Sequence, residues 1–178
     1  MVDIGNAIEV AVVREVPGQL RVLRLRRADA DTVAAAGRAL GTPLPTEPNF
    51  VADGPVRCLW IGPGEWMLAG ALPDRALLDH AIATAPAAHL ADIGEGVVTY
   101  LVTGAAARDL LAKGCTLDLH PAAFGFDRCA QTALAQTFIT IERAGPDAFR
   151  LFADRGHQHH LDLWFEDALI EFKHGDHH

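Results

Sequence analysis

From Leu20 to Arg26 apolar and basic residues alternate, with Leu23 and Leu25 opposed to Arg24 and Arg26. A period of two marks a strand with one buried face, and Pro17-Gly18 supplies a turn before it. Between Asp29 and Leu40 the period changes: Val33, Ala36, Gly37 and Leu40 fall on one helical stripe, acidic residues occupy the first turn, and Gly41 is placed to end the helix. Pro43, Pro45 and Pro48 then enforce a loop, because each removes a backbone donor and fixes φ. Apolar runs at 57–61 and 66–69 flank Gly62-Pro63-Gly64-Glu65, which predicts a β-hairpin. Asp74 is placed to cap a helix carrying Leu77, Leu78, Ala81 and Ile82, with Pro86 as its stop. A strand is predicted over Val97 to Val102 and a helix over Gly104 to Lys113, closed by Gly114. Ala133 to Glu142 and Phe149 to Ala153 predict a second antiparallel pair about Gly145-Pro146-Asp147. Leu161, Trp164, Phe165, Ala168, Leu169 and Phe172 recur at the spacing of a last amphipathic helix.

Helices thus alternate with antiparallel pairs rather than with single parallel strands, which predicts an α+β fold and not a dinucleotide-binding one. Two hairpin-then-helix units suggest a weak structural repeat. A chain of 178 residues, half of them apolar, is long enough to bury one core, so a single domain over 1–178 is expected, with residues 172–178 as a frayed tail. Fifteen basic against 23 acidic residues give a net charge of -8, which disfavours nucleic acid and anionic membrane as partners. Arg21, Arg24, Arg26 and Arg27 interrupt that field and are read as solvated edge charge or a protein interface. The first residues lack a basic leader, Glu9 breaks the apolar stretch that follows, and no apolar run reaches the ~18 residues of a spanning helix, so a cytoplasmic chain is expected. Cys58, Cys115 and Cys129 are odd in number and widely spaced, and are expected to be reduced.

Candidate chemistry is sparse. The nearest imitation of a nucleotide loop, Gly62-Pro63-Gly64, opens a hairpin instead of a helix, so its amides would not converge on a phosphate. Cys115, His120 and Cys129 offer soft ligands for zinc but lack a fourth unless Cys58 joins them, and buried thiols acting as small hydrophobes are the commoner state. His120, before Pro121, is read as bonding a loop carbonyl, and a Cys-His nucleophile is weaker still on spacing alone. His157 and His160 open the last helix, while His174, His177 and His178 sit in the tail. Glu65, Asp92 and Glu95 stand beside glycines, where turns place such residues. No catalytic, cofactor-binding or metal-binding residue is assigned to the chain. The stretch from Lys113 to Arg128 has no sustained period, yet carries Leu117, Leu119, Phe124 and Phe126, which a solvated loop would avoid. It is expected to dock against something.

Three stretches carry a resemblance: Leu59-Trp60-Ile61-Gly62-Pro63-Gly64-Glu65-Trp66, the run from Gly104 to Pro121 containing Lys113-Gly114-Cys115-Thr116-Leu117-Asp118-Leu119-His120-Pro121, and Cys129-Ala130-Gln131-Thr132. Together, from about Leu40 to the last helix, they resemble the gamma subunit family of bacterial heterotetrameric sarcosine oxidase. Gly64 stands where that family usually has Asp, Thr116 where it usually has Pro, and Asp154-Arg155-Gly156-His157 where it tends to have Arg-Ser and an aromatic residue. The last departure points to a difference in partner or amine substrate.

The resemblance implies a fold similar to the N-terminal domain of the glycine-cleavage aminomethyltransferase. It also implies a noncatalytic role beside alpha, beta and delta subunits that hold FAD, FMN, NAD, tetrahydrofolate and zinc. The reaction of such a complex is oxidative N-demethylation of sarcosine to glycine, with the one-carbon unit passed to tetrahydrofolate and peroxide released. The alternative is a stand-alone folate-binding one-carbon transferase. On the first of these readings Leu117, Leu119, His120, Phe124, Phe126 and Gln131 are the residues expected at a contact with a larger subunit.

Overall fold

The computed structural model describes residues 1–6, 9–16, 18–83 and 87–173; Pro17 of the expected turn, Pro86 as a helix stop, and His174, His177 and His178 lie outside the described residues. The chain divides into two compact units, one of Met1–Val16, Gly96–Phe126 and Ala130–His178, the other of Pro17–Glu95 and Asp127–Cys129.

Two strands the hydrophobic pattern does not announce, β1 (Val2–Asn6) and β2 (Ala11–Glu15), open the first unit. The second unit runs β3 (Gln19–Leu25), α1 (Ala30–Leu40), β4 (Val51–Ala52), β5 (Val56–Gly62), β6 (Glu65–Gly70), α2 (Arg75–Ala81) and β7 (Ala88–Asp92). The first then resumes with β8 (Val97–Thr103), α3 (Ala107–Ala112), β9 (Cys129–Leu134), β10 (Thr137–Gly145), β11 (Ala148–Asp154), α4 (Gln158–Ala168) and α5 (Ile170–Lys173).

In the second unit an antiparallel sheet of order β4-β5-β6-β3-β7 packs its inner face on the helices. Leu23, Leu25, Cys58, Trp66, Leu68 and Leu90 from the strands meet Ala36, Leu40 and Leu78 from α1 and α2, and Ile82 at the C-cap of α2. Asp29 caps α1 by accepting from the Thr32 amide at 2.8 Å; the Thr32 hydroxyl first, and then that amide bond, hold its carboxyl below the usual range. Gly41 closes α1 at φ 67, a left-handed conformation that glycine takes without a Cβ penalty. Asp74 caps α2 as expected, but Leu77 faces solvent and only Leu78 and Ile82 of the expected stripe are buried. A helix of seven residues has room for little more than one apolar row. The arginine stripe is not at an edge, since β3 lies between β6 and β7; Arg24 and Arg26 both pair with Glu65 instead.

In the first unit the order is β1-β2-β8-β11-β10-β9, again antiparallel wherever the register is defined. Val12, Val98, Tyr100, Val102, Ile141, Phe149 and Leu151 form its inner face beneath Leu110 and Leu111 of α3 and Leu161, Phe165 and Ala168 of α4. Three expectations change here. The helix expected from Gly104 begins only at Ala107, because Gly104 takes φ 117 and its position lies against the Glu9 carbonyl, where a Cβ has no room. The strand expected over Ala133 to Glu142 is two strands, β9 and β10, turning at Ala135 and Gln136 with φ of 49 and 65. Neither residue is a glycine or asparagine, so the turn leaves no signal in the sequence. Phe172 and Lys173 belong to α5 rather than to a frayed tail, and Phe172 packs against the core while Lys113 Nζ sits 5.8 Å above its ring.

The weak repeat is a repeat of topology. β3-α1-β4-β5-β6-α2 and β8-α3-β9-β10-β11-α4 follow the same sequence of elements, and their sheets share the orders β4-β5-β6-β3 and β9-β10-β11-β8. The next place is filled by β7 in one sheet and by the N-terminal β2 in the other.

Candidate interaction surface

Residues 113–126 leave α3 with no regular structure, and the first unit holds them by hydrogen bonds that the chain's own side chains supply. Lys113 donates to the Ala168 carbonyl at 3.1 Å and pairs with Glu171, which fixes the start of the segment. Cys115 bridges to Leu134 of β9, and its Sγ lies 3.9 Å from the Thr132 hydroxyl. Asp118 Oδ1 then accepts from the His120 amide at 2.9 Å, and His120 Nδ1 accepts from the Ala122 amide at 3.2 Å. His120 therefore holds the turn through an amide rather than through a carbonyl. Pro121 donates no amide, which leaves the imidazole lone pair to the next donor along.

Two arginines pin the segment to the turn between β10 and β11. Arg108 donates to the Leu119 carbonyl at 3.1 Å, to the Pro146 carbonyl at 2.6 Å and to Asp147 at 2.6 Å. Arg143, which is buried, donates to the carbonyls of Phe124 at 3.2 Å, Gly145 at 3.2 Å and Pro146 at 2.9 Å. A guanidinium has five donors in a fixed fork, so each arginine satisfies several carbonyls that an irregular buried backbone would otherwise orphan. This pair is absent from the sequence-based expectation. A signal for Arg143 exists, because it falls in the inward phase after Ile139 and Ile141, where an aliphatic residue would be usual.

The six residues expected at an interface separate into three groups. Leu119 and Phe124 turn inward and join the first unit's own core, and Leu117 packs partly buried against it. Phe126 is 53% exposed and lies over the Arg143 guanidinium, 4.0 Å from ring centroid to Cζ. His120 is exposed on the segment and Gln131 is exposed on β9. The docking expected of this stretch is thus met largely by the chain itself. Besides the exposed His120 and Gln131, an aromatic ring on a buried cation remains outward, which is a rigid and partly polar platform.

The other candidate groups have structural partners. Glu65 holds Arg24 at 3.3 Å and Arg26 at 3.2 Å across the hairpin, and Asp92 caps the next turn by accepting from the Gly94 amide. Cys58 is buried among the strands of the second unit and burial pushes its thiol up to about 12, while Cys129 donates to the Trp60 and Phe50 carbonyls. All three cysteines are free thiols, and among the described residues no three His, Cys, Asp or Glu side chains converge as metal ligands. His160 Nε2 lies 2.8 Å from the Ala135 carbonyl at the β9–β10 turn. Tyr100 donates to Asp162 at 2.8 Å, and Asp162 also pairs with Arg14 at 2.9 Å, which docks α4 on the sheet. Burial and the bond to Asp162 push that phenol far above its ordinary range. No helix is long and apolar enough to cross a membrane among the described residues.

The model of the sarcosine oxidase, gamma subunit family, matches residues 24–171. The chain is 34% identical over 144 residues to the sarcosine oxidase subunit gamma of Corynebacterium sp. (strain U-96), covering 78% of this chain and 69% of that one. It is 31% identical over 175 residues to the subunit of the same name from Corynebacterium sp. (strain P-1), covering 96% and 79%. Among solved structures it is similar to a chain of the heterotetrameric sarcosine oxidase from Corynebacterium sp. U-96 in complex with pyrrole 2-carboxylate. The TM-score is 0.86 at 27% identity, over 98% of this chain and 90% of that one. The glycine cleavage system aminomethyltransferase T from Bartonella henselae has a TM-score of 0.60 at 15% identity, over 88% of this chain and 45% of that one, which is a likeness of fold.

Proposed function

The chain belongs to the sarcosine oxidase gamma subunit family, and on that premise we propose that it is a noncatalytic subunit of a heterotetrameric, flavin- and folate-dependent sarcosine oxidase. The observation that carries this reading is the likeness along nearly the whole of both chains to a chain of a heterotetrameric sarcosine oxidase. The partners are larger subunits, alpha and beta, with a small delta subunit. They demethylate sarcosine to glycine, pass the one-carbon unit to tetrahydrofolate and hold the flavins, NAD and zinc. The residues of this chain brace that assembly. Residues 1–178 act together as one family domain, a reading supported by a family match that runs through both compact units.

On the surface, Phe126, with Arg143 beneath it, is the anchor for a larger subunit, and His120 and Gln131 belong to the same contact. Leu119 and Phe124 support the contact from below by fixing the backbone that carries Phe126. The test is co-expression of the tagged chain with the neighbouring subunits of its host. Recovery of flavin-bearing chains in fixed stoichiometry, with sarcosine-dependent peroxide formation, is expected. Saturable micromolar binding of tetrahydrofolate by the purified chain alone, with no co-purifying subunit, would replace this reading by a stand-alone one-carbon transferase.

A further inference from the structure

The second unit carries two clefts, of about 700 and 810 Å³, that share Ala28, Val33 and Thr46 and so run together as one groove. One side is α1 and the residues before it; the other is the proline loop and the β5–β6 hairpin, where Trp60 and Pro63 line the wall and the buried Trp66 stands behind them. The uncharged and acidic groups named next are used internally. Trp66 Nε1 donates to the Pro45 carbonyl at 2.8 Å, and Thr42 Oγ1 accepts from the Val56 amide at 3.2 Å. The Glu65 carboxylate is held by Arg24 and Arg26. A small polar ligand needs free polar groups that converge on it, and this groove offers none among these.

Its free charge is positive. Arg26, Arg27 and Arg38 line the groove, and neither Arg27 nor Arg38 has a carboxylate partner among the described residues. This stands on a chain of net charge -8. Arg27 also holds φ 58, a left-handed conformation that strains a residue with a Cβ and that glycine would take freely. The chain keeps a long cation there nonetheless.

We propose that this groove seats an extended apolar segment of one of the larger subunits, with one or more carboxylates on that segment meeting Arg27 and Arg38. The inference rests on the reading of the chain as a gamma subunit. Apolar anchors in the groove supply the contact, and the rim charges set register and partner choice.

The test uses the co-expressed complex, with a benzophenone amino acid at Thr46, which lines both clefts, and separately the pair Arg27→Glu and Arg38→Glu. The expected cross-link joins Thr46 to a peptide of a larger subunit that carries Asp or Glu beside apolar residues. The double reversal should lower recovery of the larger subunits at least tenfold at low salt, at an unchanged Tm of the isolated chain. Cross-linking to a second copy of this chain, to a basic peptide or to no partner would overturn the proposal, as would wild-type recovery with both reversals in place. If the unsubstituted chain recovers no larger subunit at all, the gamma-subunit reading fails and takes this inference with it.

Discussion

Replacing Phe124 and Phe126 separately by alanine distinguishes the part of the 113–126 segment that holds the fold from the part proposed to meet a partner. Phe124 is 4% exposed and belongs to the first unit's core, so its loss removes a whole buried ring and leaves a cavity. Such truncations cost about 3–5 kcal/mol. At about 2–4 °C per kcal/mol for a chain of this length, the Tm of the isolated protein should fall by roughly 6–20 °C. Phe126 is 53% exposed, and its main internal contact is with the Arg143 guanidinium. With the ring half in solvent, losing this cation–π contact costs about 0.5–1 kcal/mol, which moves Tm by roughly 1–4 °C. If the ring anchors a larger subunit, its removal should cost ~2 kcal/mol of binding, which weakens assembly by roughly 30-fold. Thermal denaturation of each variant, with titration of the larger subunits proposed as partners, reads both quantities. A Phe126→Ala chain that assembles with wild-type affinity would refute the anchor. A Phe124→Ala chain with an unchanged midpoint would refute the placement of that ring in the core.

Other outcomes follow from the same contacts. Arg143→Lys should lower stability by about 1.5–3 kcal/mol and open residues 115–126 to limited proteolysis, because an ammonium cannot serve three fixed carbonyls; unchanged cleavage would show that the fork is dispensable. Gly104→Ala should cost roughly 1–3 kcal/mol, since φ 117 and the Glu9 carbonyl leave no place for a Cβ, whereas Gly96→Ala, with open space around it, should be near neutral in the same denaturant titration. Thiol titration at pH 8 should find the three buried cysteines unreactive in the native chain and all three reactive in denaturant. Because burial raises the Cys58 thiol to about 12 in the folded chain, its contribution to stability is complete below its ordinary value of 9.0 and is lost as pH rises towards 12. Cys58→Ala should flatten that alkaline loss in equilibrium unfolding.

The sequence by itself determined the elements whose signals are local. The alternation of Leu23, Arg24 and Leu25, the caps Asp29 and Asp74, the stop at Gly41 and the stripe of Leu161, Phe165, Ala168 and Leu169 each place a backbone within a few residues, and the structure has them there. The family motifs around Trp60 and from Gly104 to Thr132 were equally legible, because they depend on residue identity rather than on contacts. Tertiary structure decided the rest. β1, β2, β4 and β7 exist because a neighbouring strand satisfies their amides, and no property of Val2 to Asn6 or Ala88 to Asp92 alone requires it. The turn at Ala135 and Gln136 is imposed by the pairing of β9 with β10 against the preferences of its residues. The segment 113–126 shows the limit most clearly. Its apolar residues announced burial, but whether Phe124 or Phe126 was to be buried depended on Arg108 and Arg143, which arrive from α3 and β10 to satisfy the carbonyls of a backbone with no regular partner of its own.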